Sequence, residues 1–269
     1  MKIIIHTIHG FPFHPYQSPL VRKFYENLER LAGIFCDQAV SVNVFERDLA
    51  VEKHLINRNK IMTICNGILG LESHNPITRE ALGLEKEKVI VGSVSRFSEQ
   101  KNIINLINVA VEVVKQAENI VFVFIGDGEY FEETQDIIHK AGVTQNIKLV
   151  GWQSNVEDWY DLFDIVILYS KWEGLSLTLL EAMSMKKPLI ASNIKGNNEL
   201  IIDGINGYLV DINNHQELTK KIISLSKDTL TQKKFGEAGY KIFLESYTLD
   251  TFVSSYEQLY QRLIEKKYD

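Results

Sequence analysis

The stretch "YSKWEGLSLTLLEAMSMKKPLIAS" (residues 169–192) holds two glutamates, Glu173 and Glu181, eight positions apart, with Gly174 directly behind the first. On one continuous helix, eight residues at ~100° each would leave the two carboxylates about 80° apart, so a shared helical stripe does not explain the pair. A break between them does. If "DIVILYS" is a strand and Lys171 to Ser176 a loop, Ser176 can cap a helix running through Leu180, Glu181, Ala182 and Met183. Glu173 then sits in the loop and Glu181 in the helix, and both can flank one ligand. Backbone N–H groups around Ser176, Leu177 and Thr178 suit a phosphate, and Gly174 removes a side chain where a ligand needs close approach. Alone, each glutamate reads as an ordinary solvated charge.

A second chemical pair follows the strand "VIVGSVSR": Arg96 at its carboxyl end and Lys101 about a turn further on, near a helix start. Two cations there, with the positive end of the helix dipole, suit a diphosphate. A surface charge cluster is the commoner meaning of such a pair taken by itself. After "NIVFVFIG" comes Asp127-Gly128-Glu129, but Phe131 stands where G-x-G-x-x-G needs its last glycine, which disfavours a nicotinamide dehydrogenase. No D-x-D is present to suggest a metal site.

Short Val/Ile runs alternating with amphipathic helices would position these residues. "KIIIHTIHG", "DQAVSVN" and "KIMTICNGI" read as strands. Between them lie a helix from Leu20 to Ala32 and another at "VFERDLAVEKHL". The polar stretch "LGLESHNPITREALGLEKEK" breaks that rhythm, and the alternation resumes from "VIVGSVSR" through "NGYLV", with helices from His215 to the end. This is the pattern of a parallel sheet covered on both faces, a doubly wound α/β domain whose ligands bind at the carboxyl ends of the strands. The organisation expected is a partial Rossmann-like domain over 1–75, a linker over 76–87, a complete Rossmann-like domain over 88–245, and helices over 246–269 packing back on the first domain.

The chain has 269 residues, 45% of them hydrophobic, and a net charge of −6, which argues against a general nucleic-acid binder. Cys36 and Cys65 sit in apolar contexts without a C-x-x-C, and read as buried thiols in a reducing compartment. No run approaches the ~20 apolar residues that cross a bilayer, and no signal peptide opens the sequence, so a cytoplasmic setting is expected. The helical stripe Leu20, Val21, Phe24, Leu28 and Leu31 is assigned to the core. The alternative is that Phe11, Phe13, Tyr16, Phe24 and Tyr25, beside Arg22, Lys23 and Arg30, dock on an anionic bilayer at the inner face of the membrane.

"EGLSLTLLEAM" resembles the E-x7-E motif of the retaining glycosyltransferases of family 4, a GT-B group that uses nucleotide sugars. "SVSRFSEQKNI", "FIGDGEY", "LVGWQSNVEDWYDLFDIVILYS", "NNELIIDGINGYLV" and "TICNGI" are similar to other segments of that family, in the same order. The resemblance implies that Arg96 and Lys101 bind the donor diphosphate, and that Glu181 bonds the ribose. It also implies that Glu173 and His9 face the reacting sugar and that amides near Ser176, Leu177 and Thr178, beside Gly174, cradle the phosphates. Gly126, Asp127, Gly128, Gly151 and Trp152 then fall near the base. The implied reaction is sugar transfer with retention and without a metal or other cofactor. "KGNNELI" and "HTIHGFPFH" resemble polysaccharide-cluster members, which implies a glycan or lipid-linked acceptor in exopolysaccharide, capsule or cell-envelope synthesis.

The family's first domain opens with strand–helix units that have no counterpart here. A bare sheet edge and apolar surface are therefore expected, covered by a partner chain, as in split glycosyltransferases, or by self-association. The alternative is a truncated or mis-started frame that yields a non-catalytic nucleotide-sugar-binding module.

Overall fold

The computed structural model describes residues 3–268. Lys2, which opens the expected first strand, Met1 before it, and Asp269 at the end of the helical tail lie outside the described residues.

Strand β5 (Ile120–Ile125), sequence IVFVFI, is buried along its whole length. Phe122 and Phe124 point into one hydrophobic core while Val121, Val123 and Ile125 point into another. Alternate side chains of a strand emerge on opposite faces, so a strand with both faces covered has no polar side. Its sheet also contains β4 (Val89–Val94), β6 (Ile147–Gly151), β7 (Ile165–Leu168), β8 (Leu189–Ser192) and β9 (Gly207–Val210). All pair in parallel, in the order β6-β5-β4-β7-β8-β9. Helices α3 (Ile103–Gln116), α4 (Phe131–Ala141) and α7 (His215–Ser226) cover one face, and α5 (Val156–Leu162), α6 (Leu177–Ser184) and α8 (Thr229–Ser246) the other. The chain winds outward from β4 to β6, then returns to lay β7 on the other side of β4. That reversal opens a crevice at the carboxyl ends of β4 and β7.

A second, three-stranded parallel sheet has the order β1 (Ile5–Ile8), β2 (Gln38–Ser41), β3 (Ile61–Thr63). Its crossovers are α1 (Pro19–Phe35) and α2 (Val44–Glu52). The last helix, α9 (Leu249–Tyr268), leaves the larger sheet's side and packs Leu259 and Leu263 against Val40 and Ile64 of the smaller one. Thr7 Oγ1 and Tyr256 Oη lie 3.2 Å apart across the same contact.

The segment between the sheets is irregular apart from a 3-10 turn at Glu80–Leu82, and two acids tie it down. Asp158 Oδ1 accepts from Ser73 Oγ and from the N–H groups of His74 and Asn75. The Asn75 N–H, with Asn155 and its neighbours, holds this carboxyl down at about 2. Arg79 bonds both carboxylate oxygens of Asp164, at 3.1 and 2.9 Å.

Two expectations change. The apolar stripe of α1 does not enter the core: Leu20 is 83% and Phe35 72% exposed, and Phe24, Leu28 and Leu31 are exposed between them. Apart from Tyr25, which packs on the smaller sheet's core, the inward side of α1 is largely polar. Glu29 Oε2 meets His6 Nε2 at 2.9 Å, Lys53 Nζ donates to Glu26 Oε1 at 2.6 Å, and Arg30 donates to the His54 carbonyl. Gly33 sits so close to the Leu55 carbonyl that a Cβ would lie 2.5 Å from it. Helical periodicity says that one face is apolar; it does not say which face meets a neighbour, and here ion pairs and the Gly33 contact seat the helix. The other change is Cys65, which is only half-buried, whereas Cys36 is buried as expected.

Candidate active site

The two sheets meet across a cleft of about 920 Å³. On the smaller sheet's side it is lined by His9, directly after β1, then by Phe11, Phe13 and Glu46. On the other side stand the loop 171–174 after β7 and the segment around Asn193 to Lys195 after β8.

Polar bonds at the start of α2 fix the two sides. Asn43 caps α2, its Oδ1 accepting the Glu46 N–H at 2.7 Å, while its Nδ2 donates to the Gly174 carbonyl at 2.7 Å. The Val44 and Phe45 N–H groups donate to the Glu199 carboxylate at 2.9 and 2.8 Å. A carboxylate from the larger sheet's side thus caps a helix of the smaller one, where the helix dipole favours negative charge. At the seam a Cβ on Gly174 would lie 2.8 Å from the His9 carbonyl, so only glycine lets the loop reach His9.

Glu173 is nearly buried, its side chain 7% exposed. Its Oε1 receives Lys101 Nζ at 2.5 Å and Ser170 Oγ at 2.6 Å. The loops after β4 and β7 are also stitched through their backbones. The Lys171 N–H donates to the Gln100 carbonyl, and Gln100 Nε2 donates to the Trp172 carbonyl. A neighbouring recess of about 570 Å³ is lined by Arg96, Ser98, Gln100, Lys101, Glu129 and Trp172, among others. Arg96 is exposed there, and among the described residues its side chain has no ion-pair partner.

Ser176 caps α6, its Oγ accepting the Leu179 N–H, and the N–H groups of Leu177 and Thr178 stand in the first turn at its open N-terminal end. Thr178 Oγ1 donates to the Val94 carbonyl, which seats that end of the helix beside β4. Glu181 lies one turn further in, accepting the Tyr160 hydroxyl at 2.9 Å, and does not line the cleft with Glu173. Burial pushes its carboxyl pKa up, against the pull of the Tyr160 bond, and Glu157 adds to the rise.

The loop after β5 lies against the one after β4. The Phe97 N–H donates to the Asp127 carbonyl at 2.9 Å, and Gly126 holds φ +136° with its would-be Cβ 1.9 Å from the Ser95 carbonyl oxygen. The Gly126 N–H donates to the Gly151 carbonyl, and Trp152 beyond it is 72% exposed. Gly126, Asp127, Gly128, Gly151 and Trp152 thus line up along the carboxyl ends of β4 to β6. Arg96, Lys101, Glu173, Gly174 and His9 gather nearer the switch point.

Among the participants not singled out from the sequence are Ser170, Gln100 and Tyr160, and also Asn43, Glu46, Glu199 and Trp172, whose ring stacks on His14 at 3.9 Å. The N-x-x-E spacing of Asn43 and Glu46 is a helix-start signal, but nothing local announces bonds to Gly174 or Glu199. Glu46 is 5% exposed; its Oε1 accepts the Phe11 N–H at 3.0 Å and its Oε2 has no partner. Burial raises its pKa to about 7 against that N–H bond, with Glu199 and Glu29 adding repulsion. Among the described residues no three His, Cys, Asp or Glu side chains group as metal ligands. None of the described helices is long and apolar enough to cross a membrane.

The family model for glycosyl transferases group 1 matches residues 75–242. The UDP-Gal:alpha-D-GlcNAc-diphosphoundecaprenol alpha-1,3-galactosyltransferase of Escherichia coli is 27% identical over 237 residues, 84% of this chain and 60% of that protein. The poly(ribitol-phosphate) alpha-N-acetylglucosaminyltransferase of Staphylococcus aureus (strain COL) is 30% identical over 172 residues, 64% of this chain and 35% of that protein. The match therefore spans less than two thirds of the first relative's length and about a third of the second's. Two crystal structures share its fold, each with a TM-score of 0.81. TarM of S. aureus, at 24% identity, is matched over 95% of this chain and 49% of its own. Anabaena Alr3699/HepE in complex with UDP and glucose, at 19%, is matched over 97% and 71%.

Proposed function

The chain belongs to the glycosyl transferases group 1 family, and from that membership we propose that it holds the donor site of a GT-B glycosyltransferase. In this reading a sugar passes, with retention, from a nucleotide-diphosphate sugar to a glycan or lipid-linked acceptor of an exopolysaccharide, capsule or cell envelope. The setting is the cytoplasm or the inner face of a membrane. One observation carries the reading: Lys101, Glu173, Gly174 and His9 converge beside the open N-terminus of α6.

The chemistry follows from that arrangement. Arg96 and Lys101, with the Ser176, Leu177 and Thr178 end of α6, stabilise negative charge growing on the departing diphosphate. Such charge stabilisation needs no metal at this position. Glu173 and His9 face the sugar, and Glu181 takes the ribose hydroxyls, exchanging its Tyr160 bond for them. Gly126, Asp127, Gly128, Gly151 and Trp152 border the base. A thermal-shift screen of nucleotides and nucleotide sugars, followed by assay of nucleoside-diphosphate release with glycan acceptors, tests this. One nucleotide should raise the melting temperature, and its sugar should turn over; a chain stabilised by no nucleotide would sink the proposal.

A second reading, a nucleotide-sugar-binding module or one subunit of a split enzyme, is favoured by the edge of β1, unpaired among the described residues, and by the outward stripe of α1. Those surfaces suit a covering partner, a separate polypeptide or a second copy, and the stripe beside Arg22 and Lys23 suits peripheral contact with an anionic membrane. Nucleotide binding without turnover, relieved by a co-purifying partner, distinguishes this reading.

A further inference from the structure

His9 stands on a turn with little to hold it. β1 ends at Ile8, whose carbonyl accepts the Val42 N–H at 3.3 Å. The next rung of that parallel ladder would take the Gly10 N–H to the Val42 carbonyl, and the chain turns away before making it. Gly10 sits at φ +133°, a conformation that side chains seldom allow. Among the described residues the backbone of His9, Gly10 and Phe11 makes a single hydrogen bond: the Phe11 N–H donates to Glu46 Oε1 at 3.0 Å. The Phe11 ring, stacked on Phe13 with centroids 4.6 Å apart, anchors the chain beyond the turn rather than the turn itself.

Glu46 is itself firmly placed. It lies in the first turn of α2, buried, with its N–H on the Asn43 cap at 2.7 Å. Asn43 reaches across the seam to the Gly174 carbonyl, also at 2.7 Å. Gly174 in turn lies against the His9 turn, where a Cβ on it would stand 2.8 Å from the His9 carbonyl and 3.2 Å from Gly10 Cα. The contacts form a closed ring: Glu46 to Phe11, along Gly10 and His9 to Gly174, and through Asn43 back to Glu46. Deleting the Glu46 carboxylate opens that ring at the His9 turn and leaves the Asn43 to Gly174 link in place.

We propose that Glu46 is a positioning residue for His9: its Oε1, through the Phe11 N–H, fixes the turn that presents His9 to the sugar beside Glu173. The carboxylate acts as an acceptor only. Its second oxygen, which has no partner, takes no part, and no proton passes between Glu46 and the reactants. A reacting group displaced by about 1 Å can lose on the order of a hundredfold in rate, so one hydrogen bond at the base of the turn is enough to matter. This rests on reading the cleft as a glycosyltransferase site in which His9 faces the sugar.

The test is a double-mutant cycle of Glu46→Ala and His9→Ala on the whole chain, with Glu46→Gln beside them. Nucleoside-diphosphate release is followed from whichever of UDP-glucose, GDP-mannose and ADP-glucose the wild type turns over. Glu46→Ala is expected to lower kcat about tenfold or more while KM for the nucleotide sugar stays within about twofold. Glu46→Gln, whose amide oxygen still accepts the Phe11 N–H, should recover most of the rate. In the His9→Ala background Glu46→Ala should cost less than about twofold, because both changes then disable the same group. A Glu46→Ala variant as fast as wild type, losses that multiply in the double variant, or a Glu46→Gln variant as slow as Glu46→Ala would each overturn the role. The His9 imidazole resonance, assigned with His9→Ala, gives a readout that needs no turnover. It should move in Glu46→Ala and stay in Glu46→Gln, and a resonance that Glu46→Ala leaves in place would overturn the proposal. A wild type that turns over no nucleotide sugar would instead overturn the transfer reading beneath it, and the resonance would still decide whether Glu46 places His9.

Discussion

Lys101 Nζ and Glu173 Oε1 stand 2.5 Å apart, joining the loop after β4 to the loop after β7 across the switch point of the sheet. The side chains are 17% and 7% exposed, so the pair is largely desolvated. A diphosphate that binds Lys101 has to share it with Glu173. Glu173→Gln is therefore expected to tighten nucleoside-diphosphate binding severalfold while abolishing sugar transfer, measured by calorimetry and by product assay. Weaker binding in that variant would mean that Glu173 does not compete for the lysine.

Glu181 is held by the Tyr160 hydroxyl deep in α6. Glu181→Ala is expected to weaken nucleotide binding about tenfold, the scale of one charged hydrogen bond. Tyr160→Phe, which keeps the carboxylate but frees it, should cost less. Equal binding by all three proteins in calorimetry would remove Glu181 from the ribose.

Most of the secondary structure was legible, because runs such as IVFVFI and the amphipathic segments between them state a doubly wound sheet locally. The break between Glu173 and Glu181 was legible for the same reason: Ser176 is a recognisable cap. The seating of α1 was not, since its moment points equally well at a core or at an open surface. The Asn43 to Gly174 bond was not either, because it joins residues 131 positions apart. Nothing local to Glu46 announces burial; only the fold places it under the Phe11 N–H.

That burial has a pH signature. The Glu46 carboxyl ionises at about 7 in the fold against 4.5 as its ordinary value. An acid with a raised folded pKa binds its proton more tightly in the native state, so stability falls as pH rises from 4.5 to 7 and stays lower above it. The loss is on the order of 3 kcal/mol. Glu46→Gln, which keeps an acceptor for the Phe11 N–H, should match wild type in melting temperature near pH 4.5 and exceed it by several degrees at pH 8. A constant difference across that range would contradict the raised pKa.

The outward stripe of α1 predicts association. In light scattering the purified chain is expected to exceed its monomer mass of 30.9 kDa, and Leu28→Glu with Leu31→Glu should return it to that value. A wild-type chain that is monomeric and also ignores anionic vesicles would show that the stripe needs no cover.

The central claim is that the carboxyl ends of β4 and β7 form a nucleotide-diphosphate site, and its most direct test is calorimetry of UDP, GDP and ADP against wild type, Arg96→Ala and Lys101→Ala. One nucleotide should bind wild type, and each variant should weaken the diphosphate about tenfold or more while leaving the parent nucleoside nearly unchanged. Binding of the diphosphate by both variants as tightly as by wild type would contradict it.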